Sequence, residues 1–284
     1  MYNIKFISSN GAKTLDMSVQ NGIIISRVTG ATGTSATLAT SQGYQQIGAS
    51  VQSASIEGQS LTISGKILDG DTAKKRELLR TFTPGTRGRL VWENEYFCEV
   101  WVRTAPTVSQ EKHSTFVMQL YAPFPFWQMT EEATFTTGTM QGNFSFPVNY
   151  KDAHRFGVST GGTTVNAYNS GDVDCEYVLT LKANSELVSP RLTNVQTEEY
   201  IQLNGTFAAD DVVTIYRKDG LTRVVKTSAG VESNAISMLD EGSTLFAIHA
   251  GDNMLYLTAT SGATGTTVLI SFYPAVSGVL AHGV

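Results

Sequence analysis

The stretch Gly58–Thr104, GQSLTISGKILDGDTAKKRELLRTFTPGTRGRLVWENEYFCEVWVRT, reads as a strand, a helix and a hairpin in succession. Leu61, Ile63 and Gly65 alternate with Thr62 and Ser64, the period of a strand with one face turned inward. Asp69 or Asp71 can cap the segment TAKKRELLRTF, in which Leu78, Leu79 and Phe82 are expected on one apolar face. Pro84-Gly85 stops that helix. GRLVWEN and YFCEVWVRT then pair as a hairpin, with Leu90 and Trp92 alternating with Val91, and with Phe97, Glu99 and Trp101 opposite Cys98, Val100 and Val102. Glu99 interrupts an apolar run. It is read as a solvated residue on a half-exposed sheet face, because a catalytic carboxylate needs a partner that the surrounding sequence does not offer.

Outward from this block the chain stays β-rich. Asn3–Ile7 and Gly22–Val28 suit strands, and Ser114–Tyr121 alternates Phe116, Met118 and Leu120 with Val117, Gln119 and Tyr121. Between them, TGATGTSATLATSQG (Thr29–Gly43) has almost no large apolar residue and cannot bury itself alone. It is either a mobile loop or an arm that becomes ordered on a neighbouring subunit. YAPFPFWQ closes the first half. Pro123 and Pro125 lack amide donors, so the segment is an extended exit whose Phe124, Phe126 and Trp127 need an apolar dock, most simply at a fixed domain junction. The second half repeats short strand candidates at Glu176–Lys182, Glu199–Leu203, Val212–Arg217, Thr222–Thr227, Thr244–His249, Met254–Thr258 and Thr267–Tyr273, with Asp219-Gly220 as a hairpin signal. Such a series suits an antiparallel sandwich or jelly roll.

The bulk properties agree. The 284 residues, 41% apolar and 16% charged, are enough for two domains with their own cores. A net charge of -5 disfavours nucleic acid and anionic membrane as partners. Charge is uneven: up to Trp127 there are 12 Lys and Arg against 9 Asp and Glu, and beyond it 8 against 16. Chance between two soluble domains or different neighbours in an assembly would each account for this. Cys98 and Cys175 stand far apart, without the spacing of a zinc site or a disulfide framework. The N-terminus lacks the apolar core of a signal peptide and no run approaches ~20 apolar residues, so folding in a reducing cytoplasm is expected and the sequons at Asn143 and Asn204 carry little weight.

No constellation carries chemistry. His113, His154, His249 and His282 lack partners at metal-ligand spacing. Gly157-Val158-Ser159-Thr160-Gly161 has the letters of a hydrolase nucleophile elbow, but no helix pattern follows, and a turn is the expected reading. The adjacent acids Glu131-Glu132, Glu198-Glu199 and Asp210-Asp211 would point to opposite sheet faces and are read as solvated turn and edge residues. Tyr168, Tyr177, Tyr200, Tyr216 and Tyr256 could stack on a sugar, though core or sheet-face roles are the simpler expectation. No catalytic residue, cofactor or metal site is assigned.

The order of GQSLTISGKI, the KKRELL helix, Pro84, Gly88-Arg89-Leu90, the hairpin, Pro106 and Pro123-Phe124-Pro125-Phe126-Trp127 resembles the N-terminal domain of siphophage distal tail proteins. The later half is similar to their second domain at Asn169-Ser170-Gly171-Asp172, Ser189-Pro190-Arg191-Leu192-Thr193-Asn194, VVTIYRKDG and Ala250-Gly251-Asp252-Asn253. The resemblance implies a mainly β chain: a split β-barrel-like ring domain with one α-helix over 1–128, and a galectin-like antiparallel β-sandwich over 129–284. It implies a structural component of a bacteriophage tail tip, not an enzyme, assembled in the host bacterial cytoplasm. The implied homohexameric ring joins the tail tube protein to the baseplate hub (tail-associated) protein and carries receptor-binding protein. The alternative is a carbohydrate-binding adhesion protein of the tail tip that grips cell-wall carbohydrate. No nucleic-acid specificity and no membrane insertion are implied.

Overall fold

The computed structural model describes residues 2–68, 71–137, 139–142, 157–160, 162–218 and 220–280. The chain divides into two compact units, one formed by Met1–Glu131 with Ala275–Val284 and the other by Glu132–Pro274. The last residues of the chain thus belong with the first unit rather than with the 129–284 piece to which the sequence reading assigned them.

The first unit comprises β1 (Ile4–Ser8), β2 (Thr14–Met17), β3 (Ile23–Thr29), β4 (Ala36–Ser41), β5 (Ser50–Ile56), β6 (Gln59–Ile67), α1 (Thr72–Thr81), β7 (Arg87–Trp92), β8 (Tyr96–Val108), β9 (Ser114–Ala122) and β10 (Trp127–Met129). Its main sheet runs β2-β1-β7-β8-β9-β6-β3, antiparallel throughout. β10 pairs with β8 and with the short strand Ala275–Val276. The β6–β9 ladder shows why the opening stretch decides the fold. Leu61 faces Leu120, Ile63 faces Met118 and Gly65 faces Phe116, all on the core side, while Ser60 faces Tyr121 and Thr62 faces Gln119 on the other. Gly65 is the small member of its pair for a steric reason: a Cβ there would meet the Ile24 carbonyl oxygen and lie 2.7 Å from Phe116 Cζ. Gly65→Ala is expected to destabilise the protein by about 1–3 kcal/mol through overpacking, read from its denaturation midpoint.

Asp71 caps α1, its Oδ1 accepting from the amides of Ala73 at 2.8 Å and Lys74 at 3.4 Å; Asp69 lies outside the described residues. Leu78 and Phe82 are buried, with the Phe82 ring 4.6 Å from that of Phe6. Leu79 is not part of that face: it is 44% exposed, because one residue step turns the helix by about 100°. The β7–β8 hairpin turns at Glu93 and Asn94, both at positive φ, the handedness that a tight hairpin between twisted strands requires.

The second unit is also antiparallel: β11 (Ala133–Thr136), β12 (Thr139–Gly142), β13 (Gly157–Thr160), β14 (Thr164–Asn166), β15 (Val178–Ala183), β16 (Leu187–Val188), β17 (Arg191–Asn194), β18 (Tyr200–Gln202), β19 (Thr206–Phe207), β20 (Val212–Lys218), β21 (Leu221–Ser228), β22 (Val231–Asn234), β23 (Met254–Thr258) and β24 (Thr266–Phe272). A six-stranded sheet is ordered β11-β24-β15-β20-β21-β22 and a four-stranded one β14-β23-β17-β18. Leu179, Leu181, Ile215, Ile270, Leu255 and Leu257 are among the buried residues that these strands turn inward.

Met254–Thr258 is a strand as expected, and the edges of most other expected strands move by a residue or two. Thr244–His249 is not one. Phe246 and Ile248 alternate inward, but the backbone pairing is sparse: the Thr244 amide donates to the Tyr200 carbonyl at 2.9 Å, and an isolated bridge joins Ile248 to Cys175 with amide-to-carbonyl bonds of 3.0 Å in both directions. Two buried asparagines hold it. Asn253 Nδ2 donates to the carbonyls of His249 at 2.7 Å, Gly251 at 3.1 Å and Ala167 at 3.2 Å. Asn169 Nδ2 donates to Ile248 O at 3.1 Å and Val173 O at 3.0 Å, and its Oδ1 accepts from the Gly171 amide. The motif letters Asn169-Ser170-Gly171-Asp172 and Ala250-Gly251-Asp252-Asn253 are therefore backbone clamps, their asparagine side chains adding bonds to carbonyls around the isolated bridges Asn169–Gly251 and Cys175–Ile248.

Candidate assembly surfaces

β4 and β5 form a separate two-stranded ribbon in which every residue is exposed. Its tip carries Tyr44, 95% exposed, and Ile47, and its strands expose Leu38, Val51 and Ile56. Between Arg27 and Glu57 there is no charged residue and no proline. Soluble proteins guard exposed strand edges with lysine, proline or cover, and a lone ribbon of two strands is at best marginally stable in water. This ribbon has none of those guards. Thr29–Gly43, read as a loop or an arm, contains β4, and its partner strand β5 lies outside the stretch singled out. Its composition hid it, since Ala, Thr and Ser give a strand with no inward face no apolar alternation to read.

A second unusual surface is the solvent face of the central strands β7, β8 and β9. Arg87, Trp101 and Tyr121 lie in one cross-strand row, with Ser60 of β6 beyond Tyr121. Trp101 is 43% exposed, and Tyr121 and Val117 are also exposed. Glu99 sits beside this row and has the partners that sequence could not supply: Arg87 Nη2 at 2.6 Å and Arg89 Nε at 3.6 Å. The Arg89 guanidinium lies 4.6 Å from the centre of the Phe97 ring. A shallow groove of about 360 Å³ adjoins this end of the face, lined by Ser8, Ser9 and these charged residues.

The Pro123–Trp127 segment packs within the first unit. Phe124 and Phe126 meet edge to face at 5.2 Å, and the Pro125 carbonyl accepts from Thr34 Oγ1 at 3.3 Å. Trp127 is 1% exposed in the first unit's own core, its ring 5.5 Å from that of Trp92.

The residues screened for chemistry are scattered. Ser159 lies in β13, opposite Met140 of β12, on a strand rather than a strand-to-helix elbow, and Gly161 lies outside the described residues. His249 Nδ1 is 3.0 Å from Asp174 Oδ1, both exposed; His113 is exposed, and His154 and His282 are outside the described residues, as is Asp219 of the hairpin signal. Cys98 and Cys175 are both buried and not joined in a disulfide, and burial, reinforced by Glu99, pushes the Cys98 thiol up to about 12, far from a reactive thiolate. Among the described residues no group of three or more His, Cys, Asp or Glu is arranged to hold a metal ion.

Of the paired acids, Asp211 departs from its reading as a solvated residue. It is buried, with Lys226 Nζ 2.7 Å from Oδ2 and the Ala208 amide donating to the same oxygen. The Lys226 hydrogen bond, aided by Ser228 and the Ala208 amide, outweighs burial and holds the carboxyl below the usual carboxylate range. A lowered folded-state value means stability that is present above the unfolded value of about 4 and lost as pH falls through the folded one. The stability of the second unit should therefore fall on acidification below about pH 4, and Asp211→Asn should flatten that part of the profile in thermal melts. The tyrosines divide: Tyr177 is buried, Tyr200 lies under the Arg191 guanidinium at 3.7 Å, Tyr216 is half-buried, and Tyr168 and Tyr256 are exposed.

The described residues thus form two antiparallel β units with one helix, and their most unusual surfaces are the neutral ribbon and the aromatic face of β7–β9. Residues 170–273 match the family described as siphovirus-type tail component, C-terminal domain. Across 94% of this chain and 98% of its own, the Dit protein of phage SPP1, described as a paradigm of the hub adsorption apparatus in phages infecting Gram-positive bacteria, has a similar fold with a TM-score of 0.65 at 10% identity. Chains of the phage P2 baseplate in its activated conformation are similar as well: with calcium, TM-score 0.53 at 11% identity, and with strontium, 0.51 at 12%, each over 98% of this chain and 100% of that one. No curated protein sequence matches significantly. Residues 170–273 thus match a siphovirus-type tail component domain, and the chain as a whole has a Dit-like fold.

Proposed function

We propose that the protein closes into a homohexameric ring that joins the tail tube to the baseplate hub and carries the receptor-binding apparatus. The observation that carries this reading is the ribbon Ala36–Ile56, exposed on every residue and free of charge. In this reading the ribbon seats on a different surface of the neighbour, a head-to-tail contact of the kind that generates rings when the rotation closes. On the same reading the first domain, 1–128 joined by the strand Ala275–Val276, is a split barrel forming the ring, and the second, from 129 up to that strand, is a galectin-like sandwich. Pro123, Phe124, Pro125, Phe126 and Trp127 fix the chain where the two domains join. Gold-labelled antibodies against this chain should mark virions only where the tail tube meets the tip. Label along the tube or at the head would contradict the proposal.

A second reading, compatible with the first, is that the second domain grips cell-wall carbohydrate. Tyr256 favours it: the ring stands exposed between Thr164 and Thr193 in a cross-strand row that continues to Tyr200. An aromatic ring on a flat polar floor can stack on a sugar. The full chain should bind purified host cell walls and Tyr256→Ala should lose that binding; unchanged retention of the variant would contradict this reading.

A further inference from the structure

We infer that the solvent face of β7–β8–β9 is the acceptor for the ribbon of a second copy of this chain, with Trp101 at the centre of the contact. This rests on the ring reading and names the docking site within it. An antiparallel sheet with one face on the core normally keeps the other polar. Here β6 follows the rule with Ser60, Thr62, Ser64 and Lys66, whereas the central strands place Trp101, Val117 and Tyr121 in the open. Tryptophan, tyrosine and arginine are the residues that dominate binding energy at protein interfaces, and Arg87 stands in the same row as Trp101 and Tyr121.

The ribbon is the matching half. Leu38, Tyr44, Ile47, Val51 and Ile56 need an apolar surface, and the ribbon's glutamines and free edge amides and carbonyls can pair with the arginines and hydroxyls around it. Its lack of charge lets it lie over the Arg87–Glu99–Arg89 cluster without burying a new charge against it. Phosphate-bearing nucleic acid fits the face less well, because Glu99 stands between the two arginines. Each copy would supply its ribbon to one neighbour and its acceptor face to the other, so every interface of the ring holds one ribbon-on-face contact toward the roughly 800 Å² per partner that a specific interface requires.

Tryptophan emission tests this on the full chain. Trp92 and Trp127 are 2% and 1% exposed, so Trp101 is the one quencher-accessible indole. Assembly should shift its emission to the blue and reduce acrylamide quenching several-fold. A chain in which 36–56 is replaced by a tight turn should keep Trp101 fully quenchable at every concentration, with the buried indoles reporting an intact fold. If wild-type oligomers leave Trp101 as quenchable as in the monomer, or if shielding persists in oligomers lacking the ribbon, the docking site is overturned and the ring reading stands. A wild-type chain that never oligomerises overturns both.

Discussion

Trp127→Ala lowers the stability of the first unit by about 3–5 kcal/mol, the cost of truncating a large aromatic side chain in a packed core. The indole is 1% exposed and meets Trp92 edge to face at 5.5 Å, in a strand that pairs with both β8 and Ala275–Val276. Removing it opens a cavity where three separate stretches of chain meet, and the main sheet cannot collapse into that space without shifting β8. The loss should appear as a lowered chemical-denaturation midpoint followed by tryptophan emission, which reports the first unit because Trp92, Trp101 and Trp127 all belong to it. A change below about 0.5 kcal/mol, the range of surface substitutions, would show that the indole is not packed as described.

Replacing the ribbon, 36–56, by a short turn abolishes assembly and leaves the fold standing. Its residues are exposed throughout and pair only with each other, so deletion removes no part of the main sheet and opens no cavity. Stability should stay within about 0.5 kcal/mol of the parent. The parent should sediment as a ring and the shortened chain as a monomer at the same concentration. Retained rings would show that the ribbon is dispensable, and a collapsed fold would show that it packs on its own chain.

How much of this was legible in the sequence depends on where each element finds its partners. Leu61, Ile63, Met118 and Leu120 carry a period that one buried face imposes, and β6, β9, the β7–β8 hairpin and α1 with its Asp71 cap could all be read from it. Thr244–His249 carries the same period and is not a strand, because its backbone partners are single groups rather than a ladder: Cys175 and Tyr200, remote in sequence, and the side chain of Asn253 just beyond it. The pairing of Asp211 with Lys226 follows from the β20–β21 register, which places Val213 opposite Lys226, and no local signal marks it. Glu99 is similar, since its arginines come from the neighbouring strand. The ribbon is the sharpest case. With no buried face it has no alternation, and only its missing charges distinguish it from an ordinary loop.

The central claim is a ring built from copies of one chain through a neutral arm. The mass of the purified full-length protein in solution, measured by light scattering across a range of concentrations, tests it most directly. The account predicts a species of six 30.6 kDa chains. A strict monomer at high concentration would contradict it.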